Sequence, residues 1–181
     1  TERSMIRMLV VLPVVAIGCE CVAAVEIGAS GFRVRHEVVI AASPAKVYDA
    51  LSGHVDRWWN AQHTYSGDSR NLTIDARAGG CFCEKLANGS VEHMQVVHVR
   101  PNEMLRMTGG LGPLQASGVA GAMTWRLSPA QDETRLELTY SVGGYIADGF
   151  QGIAPAVDRV LGEQVDRLKR YVETGAADAP K

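Results

Sequence analysis

Two strand-like stretches, Cys81 to Ala87 and Ser90 to Arg100, are separated only by Asn88-Gly89. Asn-Gly is the preferred two-residue loop of a tight hairpin, because both residues tolerate positive φ. With that loop, Glu84 stands opposite His93 and Phe82 opposite Gln95. Alternation then groups Phe82, Glu84, Leu86, Val91, His93, Gln95 and Val97 on one face, apolar at its ends and polar in its middle. If this face turns inward, Glu84 would fix the tautomer of His93 and raise its pKa. The pair would then orient a polar ligand group or act as general acid and base. If it turns outward, the pair is a cross-strand ion pair worth under about 1 kcal/mol. The opposite face, with Cys81, Cys83, Met94 and Val96, competes for the buried side.

The other candidates are aromatic: Trp58, Trp59, Trp125, Tyr140 and Tyr145. Each is either core or a ligand contact. Adjacent tryptophans on a short helix are not expected to point inward together, so one of Trp58 and Trp59 should line an opening or sit on the surface. Gly109 to Gly121, with five glycines and one proline, reads either as a mobile loop at a cavity mouth or as a long connection. Cys81 and Cys83 lie two apart on a strand, on one face. A disulfide needs Cβ atoms within about 4.5 Å, closer than an extended strand brings them. The two cysteines therefore read as small buried side chains rather than as a redox or metal pair. No CxxC or HxxxH spacing supplies a metal site. His54 and His63 flank the tryptophan pair without a readable relation to His93. There is no Ser-His-Asp arrangement, phosphate loop or dinucleotide fingerprint, so no cofactor is indicated.

The elements that must position these residues follow from periodicity. Phe32 to Ile40 alternates as a half-buried strand. Ser43-Pro44 begins a short helix, with Ser43 as N-cap and Pro44 at the first helical position. Gly53 ends it, and residues 55–60 form another helical turn. Strands are expected near 71–76, 81–87, 90–100, 103–108, 119–127 and 136–142. Ile153, Val157, Val160, Leu161, Val165, Leu168 and Val172 make one apolar stripe on a helix from about 153 to 173. Arg159 and Glu163, Glu163 and Arg167, and Asp166 and Arg170 are spaced as ordinary solvated-face pairs. Gly175 falls at the helix C-cap. Short helices and one long helix packed on an antiparallel sheet define an α+β fold.

The chain has 181 residues, enough for one domain with a real core, and a formal net charge of −2. That balance argues against nucleic-acid binding or a polybasic membrane role. It opens on Thr1, so Met5 or Met8 would be the native start. Arg7 followed by the uncharged run Met8 to Ile17 suits a signal peptide, with small residues before a cleavage point at Val25. The run is too short to span a membrane. Ala16-Ile17-Gly18-Cys19 also resembles a lipobox, which would make Cys19 a lipid anchor. Residues 1–24 are read as a signal of one kind or the other, residues 25–181 as a single domain with its core at about 32–173, and the location as periplasmic or secreted.

The order of elements resembles the helix-grip superfamily of START, Bet v 1 and polyketide cyclase-like (SRPBCC) proteins, nearest the branch related to the Hsp90 ATPase activator. The resemblance is carried by Ala42-Ser43-Pro44-Ala45-Lys46-Val47-Tyr48, Trp58-Trp59, Ala78-Gly79-Gly80-Cys81-Phe82, Val97 to Pro101, Met123-Thr124-Trp125 and the final helix. It implies a curved antiparallel sheet wrapped around the long C-terminal helix, with two short helices after the first strand and an apolar cavity between helix and sheet. It implies a small apolar or amphipathic ligand, lipid-like or aromatic, for which the hairpin register and the aromatic residues offer Trp58, Trp59, Phe82, Glu84, His93, Gln95, Trp125, Tyr140 and Tyr145 as candidate contacts. An enzyme of cyclase or dehydratase type using Glu84 and His93, and a chaperone-partner module, are the alternatives. Export argues against the last. No catalytic motif is shared across the superfamily.

Overall fold

The computed structural model of the protein describes residues 24–179, so the expected signal segment, with Cys19 and Cys21, lies outside the described residues. The chain opens on a strand, β1 (Ala24–Gly28), which hairpins directly into β2 (Gly31–Ile40). Periodicity in the sequence starts the sheet one strand later, at Phe32. Val25 and Ile27 pack against the core while Glu26 faces out, an alternation too brief to stand out in the sequence.

After β2 come α1 (Pro44–Gly53) and the single turn α2 (Val55–Trp58). Ser43 caps α1 with its hydroxyl accepting from the Lys46 N–H at 3.4 Å, and Pro44 supplies the preset φ of the first turn. Val47, Tyr48, Ala50 and Leu51 form the buried side of α1. The chain then passes through 3-10 turns at Ala61–His63 and Ser69–Asn71 to a run of strands. These are β3 (Leu72–Ile74), β4 (Cys81–Leu86), β5 (Gly89–Arg100), β6 (Met104–Thr108), β7 (Gly118–Ala130) and β8 (Glu133–Tyr145). A third 3-10 turn, Gly112–Ala116, interrupts the β6–β7 connection, and α3 (Ala154–Thr174) closes the domain.

All eight strands form one curved antiparallel sheet in the order β1-β2-β8-β7-β6-β5-β4-β3. Helix α3 packs across it, mainly on β2, and meets α1 and α2. Gly175 ends α3 at φ 82°, the left-handed cap that a glycine adopts without steric cost. The α3 stripe is divided along its length. Leu161, Val165, Leu168 and Val172 are core, whereas Ile153, Val157 and Val160 are only half-buried. The face away from the core is less solvated than its charge spacing suggests. Gln164 is fully buried and its Oε1 accepts from the Asn60 N–H at 2.8 Å. Glu163 accepts from Asn60 and pairs with His63 at 3.2 Å, and Arg167 donates to the Trp58 carbonyl at 2.8 Å. These groups fasten the α2 segment to α3, so they are not the helix-internal pairs that four-residue spacing implied.

Gly121 is one of several glycines with no room for a side chain. A Cβ on Gly121 would lie 2.5 Å from Cε2 of Tyr140 and 3.0 Å from the Gly109 carbonyl. Gly121→Ala should therefore destabilise the domain by about 2 kcal/mol through overpacking. Chemical denaturation would register this, and a loss under about 0.5 kcal/mol would contradict the close approach.

Candidate functional site

The hairpin that carries Glu84 and His93 differs from the expected one in two ways. The turn residues are Ala87 and Asn88, so Leu86 pairs with Gly89 and Glu84 with Val91. A β-bulge then shifts the register, with Cys83 opposite Glu92 and Phe82 opposite Met94. His93 is the extra residue of that bulge. A bulge lets consecutive side chains turn to one side, and His93 and Met94 are both buried. Gln95 and Val97 consequently face outward instead of sharing the Glu84 face. Cys81 and Cys83, expected to be free buried thiols, are joined in a disulfide and half-buried. Their Cα atoms are 5.4 Å apart, within reach of a bridge because the strand is irregular at Phe82/Cys83, where a straight strand was assumed.

Glu84 and His93 both face inward, 1% and 4% exposed. His93 Nε2 donates to Glu84 Oε2 at 2.9 Å. The same carboxylate accepts the backbone N–H groups of Tyr65 at 3.0 Å and Ser66 at 2.5 Å. Glu84 thus fastens the segment after the first 3-10 turn onto the hairpin. Burial alone would raise its pKa, but the hydrogen bonds from Ser66, Tyr65 and His93 outweigh that and hold the carboxyl below its ordinary value. His93 behaves against expectation: burial lowers its pKa more than the neighbouring Glu84 raises it. The pair is therefore a carboxylate and a neutral imidazole, with the ring proton on Nε2. The imidazole packs against Phe82, at 4.9 Å between ring centroids, and against Tyr65, stacked at 5.8 Å with an interplanar angle of 25°. Nδ1 is buried and has no hydrogen-bond partner among the described residues.

Acid should weaken the fold in two steps. Because the folded pKa of His93 is below the ordinary 6.5, its contribution is complete above that pH. As pH falls through 6.5 the unfolded chain takes up a proton that the folded chain refuses, and stability drops by up to about 1.4 kcal/mol per pH unit. Glu84 acts in the same direction below its ordinary 4.5, where the unfolded carboxyl protonates first. Thermal unfolding of the wild type from neutral to mildly acidic pH should show the first step. His93→Phe should remove it, and an equal slope in both proteins would contradict the assignment.

His93 lies on the wall of a cleft of about 330 Å³ between α3 and the hairpin. Trp59, Phe82 and His93 line it from the sequence candidates, with Glu84 directly behind His93. Trp58 and Trp125 do not reach it. They pack against each other at 5.9 Å in the core, and Trp58 Nε1 donates to the Ala50 carbonyl at 2.9 Å. Trp58 and Trp59 are both buried, because the helix ends between them. Trp59 has extended backbone angles, so its ring turns inward beside Trp58 and does not follow the helical rotation. Tyr140 is also core. Its hydroxyl donates to the Gly109 carbonyl and accepts from the Leu111 N–H, both at 2.9 Å, and burial pushes its pKa up to about 12. It pins the glycine-rich connection whose Leu111, Gly112 and Pro113 form the cleft rim. Tyr145 is 72% exposed at the end of β8, and Gln95 is exposed on the outer face.

The sequence candidates did not include Gln62, Thr64 and Tyr65, which complete one rim, or Ala156 on α3. Helical spacing marked Ile153, Val157, Val160 and Leu161 as apolar without distinguishing cleft wall from core. In the sequence His63 stands only as a flank of the tryptophans. Among the described residues, no group of three or more His, Cys, Asp or Glu side chains is placed to hold a metal ion. Nor is any helix among them long and apolar enough to cross a membrane.

A curved antiparallel sheet gripping a C-terminal helix, with a cleft at one end of that helix, defines the helix-grip class. The profile of the polyketide cyclase / dehydrase and lipid transport family matches residues 31–173, and the chain belongs to that family. Solved structures agree on the fold. The conserved protein EF2215 of Enterococcus faecalis superposes with a TM-score of 0.63 at 18% identity, covering 87% of this chain and 80% of that one. Aha1 of Colwellia psychrerythraea, solved as a dimer, gives 0.57 at 20% identity, covering 79% and 97%. CalU16 of Micromonospora echinospora gives 0.57 at 15% identity, covering 88% and 87%. No curated protein matches the sequence.

Proposed function

We propose that the domain binds a small apolar or amphipathic molecule in the cleft between α3 and the β4–β5 hairpin. The observation that carries this reading is a cleft of about 330 Å³ walled by Trp59, Phe82, Leu111, Val157 and Leu161, with the single buried polar ring of His93 among them. Small-molecule sites are mostly apolar hollows of roughly 300–1,000 Å³ with a few polar groups that fix orientation. The family's description, polyketide cyclase / dehydrase and lipid transport, supports the same class of ligand. Native mass spectrometry of the purified protein, followed by titration with fatty acids, alcohols and aromatics, tests it. Ala156→Trp places an indole in the cleft and should reduce binding by more than about tenfold. A wild-type protein that carries and acquires nothing would sink the proposal.

The alignment of Glu84 and His93 favours a second reading, an enzyme in which His93 Nδ1 moves a proton while Glu84 steadies the ring. It requires a captured ligand to be recovered isomerised or dehydrated from the wild type and unchanged from His93→Phe. Identical recovery from both removes it. The likeness to Aha1 is one of fold and carries no chaperone role to this chain.

We also infer that the domain is exported. The apolar run Met8 to Ile17 and the Cys81–Cys83 disulfide support this, since disulfides persist in oxidising compartments. Fractionation with thiol labelling decides it: a cytoplasmic protein with both thiols reactive would contradict the inference.

A further inference from the structure

His93 meets protein on its ring and on its Nε2 edge. Phe82 and Tyr65 pack against the ring, and the Nε2 proton is donated to Glu84. An ionised carboxylate only accepts, and this one already accepts from Tyr65 and Ser66, so the tautomer is settled. Nδ1 is left as a bare acceptor, buried and without a partner. A buried acceptor without a partner carries a free-energy penalty that a ligand donor relieves.

The geometry points to a neutral, hydroxyl-bearing aromatic or alicyclic molecule as the ligand, its hydroxyl donating to His93 Nδ1 and its ring body lying against Phe82 and α3. This rests on the cleft being a ligand site, as proposed above. Two competing head groups fit less well. A carboxylate would present lone pairs to the lone pair of Nδ1, with the Glu84 charge directly behind it in a poorly screened interior. A ring with no polar group would leave Nδ1 unpaired. Burial holds the imidazole neutral, so the ring does not become a donor at ordinary pH. Tyr65 is 54% exposed, so it can yield to an entering hydroxyl at low cost.

The experiment compares three probes of one shape, 2-naphthol, naphthalene and 2-naphthoate, by calorimetric titration at about pH 8, above the ordinary imidazole range. Wild type should bind 2-naphthol about tenfold or more tightly than either analogue. His93→Phe should bind 2-naphthol and naphthalene alike. Should that variant fail to fold, wild type labelled with nitrogen-15 histidine gives a second readout, since the Nδ1 resonance of His93 should shift on adding 2-naphthol and not on adding naphthalene. Equal binding of 2-naphthol and naphthalene, a preference for 2-naphthoate, or an unmoved Nδ1 resonance would overturn the inference while leaving the cleft as a ligand site. If none of the three binds and the wider panel also fails, both readings fall together.

Discussion

Replacing Glu84 with alanine is expected to lower the stability of the domain by about 3–4 kcal/mol. Three donors lose their acceptor at once: the backbone N–H groups of Tyr65 and Ser66 and the Nε2 proton of His93. Glu84 is 1% exposed, so water does not replace the lost partners without opening the structure. Hydrogen bonds to a charged group contribute more than neutral ones, and donors left buried without partners add their own penalty. Glu84→Gln keeps the shape and one acceptor oxygen, and should cost about half as much. Urea unfolding of the three proteins gives the ordering. Hydrogen exchange at Tyr65 and Ser66 should rise far more in Glu84→Ala than exchange in β7 or β8. A loss under about 1 kcal/mol would mean that the carboxylate holds nothing in place.

The second large effect is expected at Trp58. It is 1% exposed and packs on Trp59 at 5.6 Å and on Trp125 at 5.9 Å. Trp58→Ala removes a large aromatic from a site that backbone contacts keep from collapsing, because Arg167 holds the Trp58 carbonyl at 2.8 Å. Large aromatic truncations of this kind cost about 3–5 kcal/mol. The indole N–H bond to Ala50 is not the main term, since that carbonyl also accepts from the His54 N–H at 3.3 Å. Trp58→Phe should therefore retain most of the stability. Trp59, which packs on Phe82 in the cleft wall at 5.2 Å, loses its support in Trp58→Ala. Ligand affinity should fall in that variant even where the fold survives. Calorimetric unfolding, with binding measured on the surviving folded protein, checks both parts. A stability loss below about 1.5 kcal/mol, or unchanged affinity, would contradict this account.

Much of the architecture was readable because it is written in period. The apolar stripe of α3, the Ser43-Pro44 start of α1 and the alternation in β7 and β8 are local patterns with one physical reading each. That Glu84 and His93 share a face was legible, whereas the choice of which face turns inward was not. Asn88-Gly89 suggested a turn one residue later than the real one, which slides the pairing by two residues and so leaves Glu84 and His93 on one face, while the bulge at Phe82/Cys83 turns Met94 inward and Gln95 outward. A bulge has no dependable signature in residue type, since it answers to sheet curvature. That is also why the Cys81–Cys83 bridge was missed. The wrong role for Tyr140 has another origin: its partners, Gly109 and Leu111, lie about thirty residues upstream. Nothing in the local sequence distinguishes a hydroxyl that pins a loop from one that greets a ligand. The rim from Gln62 to Tyr65 was invisible for the same reason, because it becomes a rim only after Glu84 and Glu163 draw it against the hairpin and α3.

The position of β2 beside β8 fixes the order in which the protein can be made. Strand β2 leaves the ribosome early, yet the partner on its inner side is β8, with Arg35 and Glu137 pairing across 102 residues of chain. Until β8 emerges, Val34 has only Val25 of β1 beside it, and Val38 and Ile40 have no strand partner. Sheets that depend on such distant pairings fold on the slow side, in milliseconds to seconds. The nascent chain therefore carries an uncompleted sheet from the emergence of β2 to that of β8, and a truncation before Glu133 would leave α1, α2 and seven strands without the strand that joins β2 to β7.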